Sequence, residues 1–419
     1  MEPDIKIMSV VKNHMEFCGV IVGSPLKQRI MSTFTVLSLI YFSAPQAVYY
    51  VLNMSDLQES TAVLSVLMVM VITGAKIYWL VSYTNLMASI LTELQDHINT
   101  RVKCGKGRHY LSADRIGNVF TKCFAVMILC AALLYSLNPM LQILVQFLLK
   151  PEEPFVFKLP FHFELGIDDK ISPNYELIYV SSFTFLLPIL NSMVSSNCLF
   201  FCFSLHIAAC FKDLQEMISD IVETVIEQEK LLHEPDDGSS LIIATNPNPQ
   251  EEEIFLRHIS QCLELHTKII RWIEGATLAL SGIIAFEYAG SILSFCTQAF
   301  QATLNVQSAE FLNSVVFFMA NGLELFLFAI FGEKIATESR AVADAAYRAS
   351  WWRFPPRYRR YFGLMIQRAQ KPCYFKAANW LNCSMESYMT VLRASFSMMA
   401  LLQNLNEKGG FGLEQEDII

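Results

Sequence analysis

Apolar residues are gathered in seven stretches of the chain, and more polar segments separate them. A helix needs about 20 predominantly apolar residues to cross the hydrocarbon core of a bilayer. The pattern therefore predicts an all-α membrane protein with seven transmembrane helices. The predicted spans are Ile30–Leu52, Thr61–Tyr83, Val119–Leu149, Leu177–Phe211, Trp272–Gln301, Glu310–Phe331 and Asn379–Gln403.

Helical spacing of apolar residues continues beyond the fourth span, where Leu214, Ile218 and Ile221 recur on one face. The fourth helix is therefore predicted to leave the membrane without a break and to run to Leu232. Pro, Gly and acidic residues then predict a mobile loop at 233–253. Residues Ile254–Trp272 return as a second amphipathic helix. Either the same chain or neighbouring subunits must bury these apolar faces, and we expect the extensions to form an oligomeric anchor.

The longest outer loop, 150–177, contains four prolines that disfavour a helix and four phenylalanines at 155–163. Two interpretations fit this composition equally well. The loop is either a lid over a cavity within the membrane or a simple connection packed on the helix ends.

Charge decides the orientation of the chain. Most of the 31 Lys and Arg residues lie in alternate gaps, on the same side as the N-terminus. The gap at 101–115 is rich in basic residues, whereas the outer loop 53–59 has none. Because cytoplasmic loops are enriched in Lys and Arg, we expect a cytoplasmic N-terminus and an extracellular C-terminus. This orientation is opposite to that of G-protein-coupled receptors.

Composition excludes several classes of function. The net charge of −8 lies in loops and in the acidic tail, so it gives no indication of nucleic-acid binding. None of the 11 cysteines lies in a predicted outer loop, so no extracellular disulfide is expected. Motifs of metalloproteases, serine hydrolases and P-loop enzymes are missing from the sequence. We therefore predict a protein that is not an enzyme, without a metal site or cofactor.

Charged residues within the predicted spans are the better functional markers, because a charge at mid-bilayer is costly and normally faces protein or water. The candidates are Lys76, Glu287, Glu324 and Arg393. Lys76 lies near the cytoplasmic end of its span and is expected to snorkel toward the interface. Glu287 and Glu324 are expected to make contacts between helices.

Three local motifs resemble one family. They are Leu159–Pro160 followed by the run from Ser172 to Tyr179, the run from Ser339 to Trp351, and the pattern from Leu392 to Ser397 that leads to Leu401. In their order and topology they resemble the insect odorant receptors over almost the whole chain. The resemblance implies an odorant-gated, nonselective cation channel in the plasma membrane of olfactory neuron dendrites, assembled as a heterotetramer with coreceptor subunits. At Phe396–Ser397 the coreceptor pattern has Thr-Tyr, which favours a ligand-tuning subunit here.

The resemblance also assigns roles to segments of the chain. Residues 1–211 hold the N-terminal tail and a ligand-binding domain of four spans with outer loop 150–177. Residues 212–271 form the cytoplasmic extensions with the loop 233–253. Residues 272–403 hold spans five to seven, with a cytoplasmic helical segment at 332–378 and a pore helix at 386–403, and residues 404–419 form an acidic tail.

For a small volatile organic ligand, the resemblance implies a pocket in the outer halves of spans two, three, four and six. The residues there are Met68, Val71, Ile72, Tyr135, Ser136, Pro139, Met140, Phe183, Phe185, Leu186, Ile189, Phe311, Val315, Phe318 and Met319. Each of them also fits a simple role in the core. They are apolar or aromatic, which suits recognition by shape.

One face of the last span is the candidate pore lining, and a plain packing face is the alternative. It carries Leu392, Ser395, Phe396, Met399, Leu402 and Gln403. Met399 and Leu402 would form an apolar constriction that gates by dewetting. A metabotropic receptor and a transporter are the alternative functions. A metabotropic receptor needs an outward N-terminus, and a transporter is expected to show repeat symmetry that the sequence lacks.

Overall fold

The computed structural model describes residues 6–20, 25–149, 159–166, 171–232, 249–304, 309–349, 351–354, 356–378 and 381–414. Its helices are α1 (Ser9–Phe17), α2 (Pro25–Leu52), α3 (Leu57–Ser82), α4 (Thr84–Lys103), α5 (Arg108–Leu149), α6 (Asn174–Leu232), α7 (Pro249–Leu304), α8 (Ala309–Arg348), α9 (Pro356–Ala369) and α10 (Met385–Glu414). A 3₁₀ turn, Trp351–Arg353, joins α8 to α9. Two antiparallel strands, β1 (Lys376–Ala377) and β2 (Leu381–Asn382), precede α10. The described chain is helical apart from this strand pair and the connecting segments.

Six of the described helices contain a segment long and apolar enough to cross a membrane. They are α2, α3, α5, α6, α7 and α8, which match the first six predicted spans. The seventh predicted span begins too early: β2 occupies Leu381–Asn382 and α10 starts at Met385, while residues 379–380 lie outside the described residues. Glu386 and Arg393 lower the hydropathy of α10, so it is not among the six.

Two helices extend far beyond the length that a bilayer requires. α6 has 59 residues and confirms the continuous helix through Leu232. α7 has 56 residues and begins at Pro249, so the end of the predicted loop 233–253 is helical. Proline suits the first helical position because the N–H that it lacks has no partner there. The remainder of that loop, 233–248, lies outside the described residues.

The apolar faces of these extensions are buried within the chain itself. Leu214 and Ile218 of α6 and Ile259 and Ile269 of α7 belong to the main core. Helix α9 closes this core, because the ring centroid of Phe255 lies 4.7 Å from that of Tyr358 and 6.5 Å from that of Phe362. Intramolecular packing, the first of the two expected possibilities, therefore buries both apolar stripes.

Polar contacts also tie the extensions together. Arg101 Nη2 of α4 donates to Asp213 Oδ1 of α6 at 2.5 Å, and Tyr110 Oη donates to Asp213 Oδ2 at 2.9 Å. His97 Nε2 lies 3.1 Å from Tyr110 Oη. Burial lowers the pKa of His97 to about 4, with Asp213 opposing the shift and Arg101 adding to it. The imidazole is therefore neutral at physiological pH.

Glycines allow α3 and α7 to approach closely. A Cβ at Gly282 would overlap the indole of Trp79, and one at Gly290 would overlap Ile72. Small residues at helix interfaces permit such contact in membrane proteins. Large apolar side chains of α2 and α5 are exposed, as expected for surfaces that face lipid. They include Val36, Leu37, Ile40, Val126, Leu144 and Phe147.

The N-terminal helix α1 packs into the bundle rather than lying apart from it. Asp114 Oδ1 of α5 accepts a hydrogen bond from the Met8 backbone N–H at 2.8 Å, which satisfies a group at the start of α1. Near its other end, His14 Nδ1 lies 2.6 Å from Asn191 Oδ1 of α6. Val11 and Met15 are fully buried between these contacts.

Candidate functional site

A cavity of about 180 Å³ lies within the bundle, between α3, α5, α6 and α8. Its walls are mostly aliphatic and aromatic. It is lined by Val66, Val69, Met70, Ile128, Ala131, Ala132, Leu134, Tyr135, Asn138, Leu141, Phe161, Leu186, Ile189, Leu190, Met193, Leu312, Val316, Phe317, Ala320, Asn321 and Glu324. The polar members are an aromatic hydroxyl, two amides and one carboxyl group.

Each helix contributes one face to the cavity. On α6, Leu186, Ile189, Leu190 and Met193 recur at intervals of three or four residues, as one face of a helix requires. The same spacing holds for the contributions of α3 and α8. The cavity thus results from four helices whose facing side chains do not fill the space between them.

Part of the loop between α5 and α6 covers the cavity. Phe161 lines it and lies with its ring 5.1 Å from Phe42 and 5.4 Å from Tyr135. Phe163 packs beside Phe42 in the same small core. In the described part of the loop, 159–166, Phe161 and Phe163 pack on the bundle, and Phe161 also forms part of the cavity wall. The choice between a lid and a simple connection stays a prediction. Phe155 and Phe157 lie outside the described residues.

A buried polar cluster lies where Glu324 meets the cavity; we call Lys76, Asn197, Glu287 and Glu324 the ionic cluster. Lys76 Nζ donates to Glu324 Oε1 at 3.0 Å and to Asn197 Oδ1 at 2.9 Å, and it forms an ion pair with Glu287. Asn197 Nδ2 donates to Glu324 Oε1 at 2.6 Å. The cluster therefore connects α3, α6, α7 and α8.

The snorkelling role expected for Lys76 is wrong, because its side chain is 1% exposed and turned into the ionic cluster. The interhelix contacts expected for Glu287 and Glu324 are present. A buried charge is tolerated where it is paired and hydrogen-bonded. Arg393, the fourth charged residue within the predicted spans, is exposed on α10.

Of the fifteen residues proposed from sequence for ligand contact, Tyr135, Leu186 and Ile189 line the cavity. Four others contact neighbouring helices: Phe318 packs on Phe295, Phe185 stacks on Tyr41, the Ser136 carbonyl accepts from Tyr179 Oη, and Ile72 lies against Gly290. Phe183 lies against Tyr179 of its own helix. The exposed members are Val71, Met140, Phe311 and Met319. Met68, Pro139 and Val315 lie on the same helices but do not line the cavity.

Sequence reasoning missed the face of α8 that points into the cavity. The sequence signal for this face is Glu324. Positions four, eight and twelve residues before it on α8 are Ala320, Val316 and Leu312, and all of them line the cavity. An intramembrane charge marks the protein-facing side of its helix. Apolar residues alone carry no such mark in a helix surrounded by lipid and apolar neighbours.

The candidate pore residues lie on α10, and they differ in how far the single chain buries them. Ser395 is buried and its Oγ donates to the Val391 carbonyl at 2.8 Å. Phe396 is 52% exposed. Leu392, Met399, Leu402 and Gln403 are half-buried.

The segment before α10 is fixed to α7 and α8. Cys383 Sγ lies 3.6 Å from Tyr288 Oη and donates to the Phe328 carbonyl at 3.1 Å. At Gly332 a Cβ would overlap the Cys383 carbonyl, so α8 and this segment touch through their backbones. Tyr288 adjoins Glu287 in sequence, and this places the start of α10 beside the ionic cluster.

Metal chemistry has no support in the described residues, where no group of three or more His, Cys, Asp or Glu is placed to hold an ion. Two buried thiols outside the spans are similarly unsuited to reaction. Burial raises the pKa of Cys18 and of Cys373, so both remain protonated.

Comparison with solved structures gives the fold. The insect olfactory receptor OR5 from Machilis hrabei in complex with eugenol superposes with a TM-score of 0.72 at 14% identity, covering 95% of this chain and 98% of that one. The structure of OR5 described without eugenol gives a TM-score of 0.73 at 15% identity, with coverage of 94% and 97%.

Sequence relatives agree with the fold. Odorant receptor 2a of Drosophila melanogaster is 35% identical over 89 residues, covering 21% of this chain and 22% of that protein. Odorant receptor Or2 of Anopheles gambiae is 24% identical over 35% of this chain and 39% of its own length. Odorant receptor 49a of Drosophila melanogaster is 19% identical over 72% and 69%. The first two matches thus span well under half of each relative.

A family model covers most of the chain. The model described as 7tm Odorant receptor matches residues 53–396, which include every helix that lines the cavity. Odorant receptors are chemosensory proteins, so the prediction that the chain is not an enzyme is confirmed. With an all-helical membrane fold, a mostly apolar cavity between its helices and this match, the chain belongs to the seven-transmembrane odorant receptor family.

Proposed function

We propose that this chain is a ligand-tuning subunit of an odorant-gated, nonselective cation channel and that small volatile organic molecules bind in its cavity. The observation that carries the proposal is a mostly apolar cavity of about 180 Å³ in a chain of the odorant receptor family. An apolar cavity of about 150 Å³ is large enough for benzene. The cavity therefore suits a single ring or a short aliphatic chain. A protein with the same fold, OR5 of Machilis hrabei, has been solved in complex with eugenol.

Ligand contacts in this proposal come from the cavity walls. Tyr135, Leu186 and Ile189 would contact the volatile directly, and Phe161 would close the site above it. The other residues proposed from sequence would shape the surrounding bundle: Met68, Val71, Ile72, Ser136, Pro139, Met140, Phe183, Phe185, Phe311, Val315, Phe318 and Met319. Burying about 250 Å² of apolar ligand surface contributes roughly 6 kcal/mol before the costs of binding. This corresponds to dissociation constants of tens of micromolar.

Helix α10 supplies the pore in the same proposal. Leu392, Ser395, Phe396, Met399, Leu402 and Gln403 would line it, with Met399 and Leu402 forming an apolar gate. In support, Met398 and Leu401 leave an exposed apolar surface on α10 that a neighbouring subunit would cover. The partners are coreceptor subunits in a heterotetramer. The N-terminus lies in the cytoplasm and the C-terminus outside the plasma membrane of an olfactory neuron dendrite.

The test is electrical. Outside-out patches from cells expressing this chain with the coreceptor, without guanine nucleotides in the pipette, are exposed to a panel of small aromatic and aliphatic volatiles. Fast cation currents that require both chains are the expected result. Silence of a well-expressed pair in patches, with a response only in intact cells through G proteins, contradicts the proposal.

A matched pair of variants tests the cavity itself. Phe161 and Phe163 are similarly buried in one small core, but only Phe161 lines the cavity. Phe161→Ala is expected to shift the half-maximal concentration of every active volatile at least several-fold. Phe163→Ala is expected to leave those concentrations nearly unchanged in the channels that reach the surface. Equal shifts in both variants contradict binding in this cavity.

A further inference from the structure

The ionic cluster holds two carboxyl groups and only one ammonium group. Lys76 pairs with both Glu287 and Glu324, and Asn197 adds a neutral amide. All four side chains are at least nine-tenths buried. If both carboxyl groups were ionised, one negative charge would be unbalanced in apolar surroundings, which is costly. A proton or an additional hydrogen-bond donor stabilises such an arrangement.

Glu324 belongs to the ionic cluster and to the cavity wall at the same time. Its Oε1 accepts hydrogen bonds from Lys76 and Asn197 on the protein side, and the residue is 4% exposed. Glu287 belongs to the same ionic cluster but does not line the cavity. The other residues that line the cavity are uncharged, so the negative charge of the cavity wall is confined to Glu324.

The position of Glu324 along α8 places this carboxyl group at one end of the apolar wall. Leu312, Val316 and Ala320 follow one another on the same face and lead to Glu324. At 1.5 Å per residue, Leu312 and Glu324 are roughly 18 Å apart along the helix axis. A ligand with an apolar body along this wall and a polar group at one end would present that group to the carboxyl oxygen.

We propose that the cavity selects small volatiles that carry a hydrogen-bond donor, a hydroxyl or amino group, at one end of an apolar body, and that Glu324 accepts this hydrogen bond. The inference rests on the proposed function and specifies the ligand class of the same site. A hydrogen bond to a charged group changes a dissociation constant by about 10- to 100-fold. A methyl ether with the same molecular formula lacks the donor, so it loses this hydrogen bond while the number of atoms in the ligand stays the same.

The experiment compares isomers that differ only in the donor. Benzyl alcohol and anisole form one pair, and 1-heptanol and 1-methoxyhexane form the other. Binding is measured as ligand-induced thermal stabilisation of the chain purified together with its coreceptor, and gating is measured as current in cells. The alcohol of each pair is expected to act at 10- to 100-fold lower concentration in both measurements. Benzylamine and heptylamine show whether an ammonium group is preferred to a hydroxyl group.

Two isosteric variants locate the effect. Glu324→Gln removes the unbalanced charge and the carboxylate in the cavity wall, while Lys76 and Glu287 still balance each other. Glu287→Gln removes the same amount of charge but leaves the Glu324 carboxylate in place. The preference for alcohols is expected to disappear in Glu324→Gln and to persist in Glu287→Gln. Where Glu324→Gln does not reach the surface, Glu324→Asp is expected to weaken alcohols several-fold and ethers hardly at all.

The outcomes separate this inference from the proposed function. The role of Glu324 is overturned when the two isomers of a pair act at equal concentrations on the natural chain. It is also overturned when both Gln variants lose the preference for alcohols, even if the currents are large. Alcohols that bind with the expected preference but evoke no current in any subunit combination overturn the channel function and leave the ligand class standing.

Discussion

Side chains fill the space between the helices at one end of the helical bundle but not at the other. Around the cavity, α3, α5, α6 and α8 leave about 180 Å³ unfilled, and the neighbouring faces of α2 and α5 are exposed. At the extensions, α4, α6, α7, α8 and α9 enclose a continuous core with a buried ion pair between Arg101 and Asp213. Protein interiors are normally packed as densely as organic crystals. The end that departs from this density can accept a ligand, and the densely packed end holds the helices in fixed relation.

The ionic cluster lies between these two ends, and loss of its cation is expected to have the largest effect on stability. Lys76→Met leaves Glu287 and Glu324 without their cation, which costs about 3 to 5 kcal/mol of unfolding free energy. Thermal unfolding in detergent and surface expression measure the loss. The triple variant Lys76→Met, Glu287→Gln, Glu324→Gln removes every charge and should recover most of the stability. If the triple variant is no more stable than the single one, charge imbalance is not the cause.

A pair of equivalent truncations compares the two ends directly. Ile189 lines the cavity and Ile269 lies in the extension core, and both are 0% exposed. Ile→Ala in a filled core costs about 2 to 5 kcal/mol, depending on the void that it leaves. We expect Ile269→Ala to cost about 4 kcal/mol and Ile189→Ala about 2 kcal/mol, because Ile189 already faces empty space. Denaturant unfolding measures the loss of unfolding free energy in each variant. Equal losses in the two variants would contradict the prediction.

Acid should weaken the extension end through His97. Its pKa is lowered to about 4 in the folded chain, so the unfolded chain binds the proton first as the pH falls. The stability that His97 provides is complete above pH 6.5 and is lost between pH 6.5 and 4, at most about 3 kcal/mol. His97→Gln should flatten the dependence of the unfolding temperature on pH in this interval. An unchanged slope would assign the acid sensitivity to other groups.

The smallest effect on stability is expected for an ion pair on the surface of the extensions. Arg108 donates to Glu216 at 2.7 Å, but their side chains are 82% and 48% exposed. Exposed ion pairs contribute about 0 to 1 kcal/mol. Arg108→Gln should therefore change the unfolding temperature little, and the change should vanish in high salt. Asp213→Asn, at the buried pair with Arg101, should cost more and keep its effect in high salt.

The sequence predicted the extensions better than the cavity, for a physical reason. Leu214, Ile218 and Ile221 stand out because polar residues separate them, so helical spacing revealed both the helix and its buried face. In the spans, apolar residues surround the whole helix, and the inward face of α8 cannot be told from the outward one by hydrophobicity. Glu324 marks the inward face of α8, whereas the residues predicted from sequence to contact the ligand, Phe318 and Met319, lie on other faces of the helix.

The start of the last helix was also beyond prediction. The strands β1 and β2 have two residues each, too few for an alternating pattern. Their position depends on Cys383, whose backbone fits against Gly332 and whose thiol meets Phe328. Such a contact between residues about 50 positions apart leaves no trace in local sequence.

The unbroken length of α6 has a mechanical consequence. One helix lines the cavity at Leu186–Met193 and reaches the extension core at Ile221, with Pro188 at the level of the cavity. A proline inside a helix removes a hydrogen bond and favours bending at that point. From Pro188 to Ile221 the helix is a lever of about 50 Å, so a rotation of one degree at the proline displaces Ile221 by roughly 0.9 Å. In the proposed function, a volatile that rotates α6 about Pro188 would displace the extension core at Ile221 as well as the cavity wall.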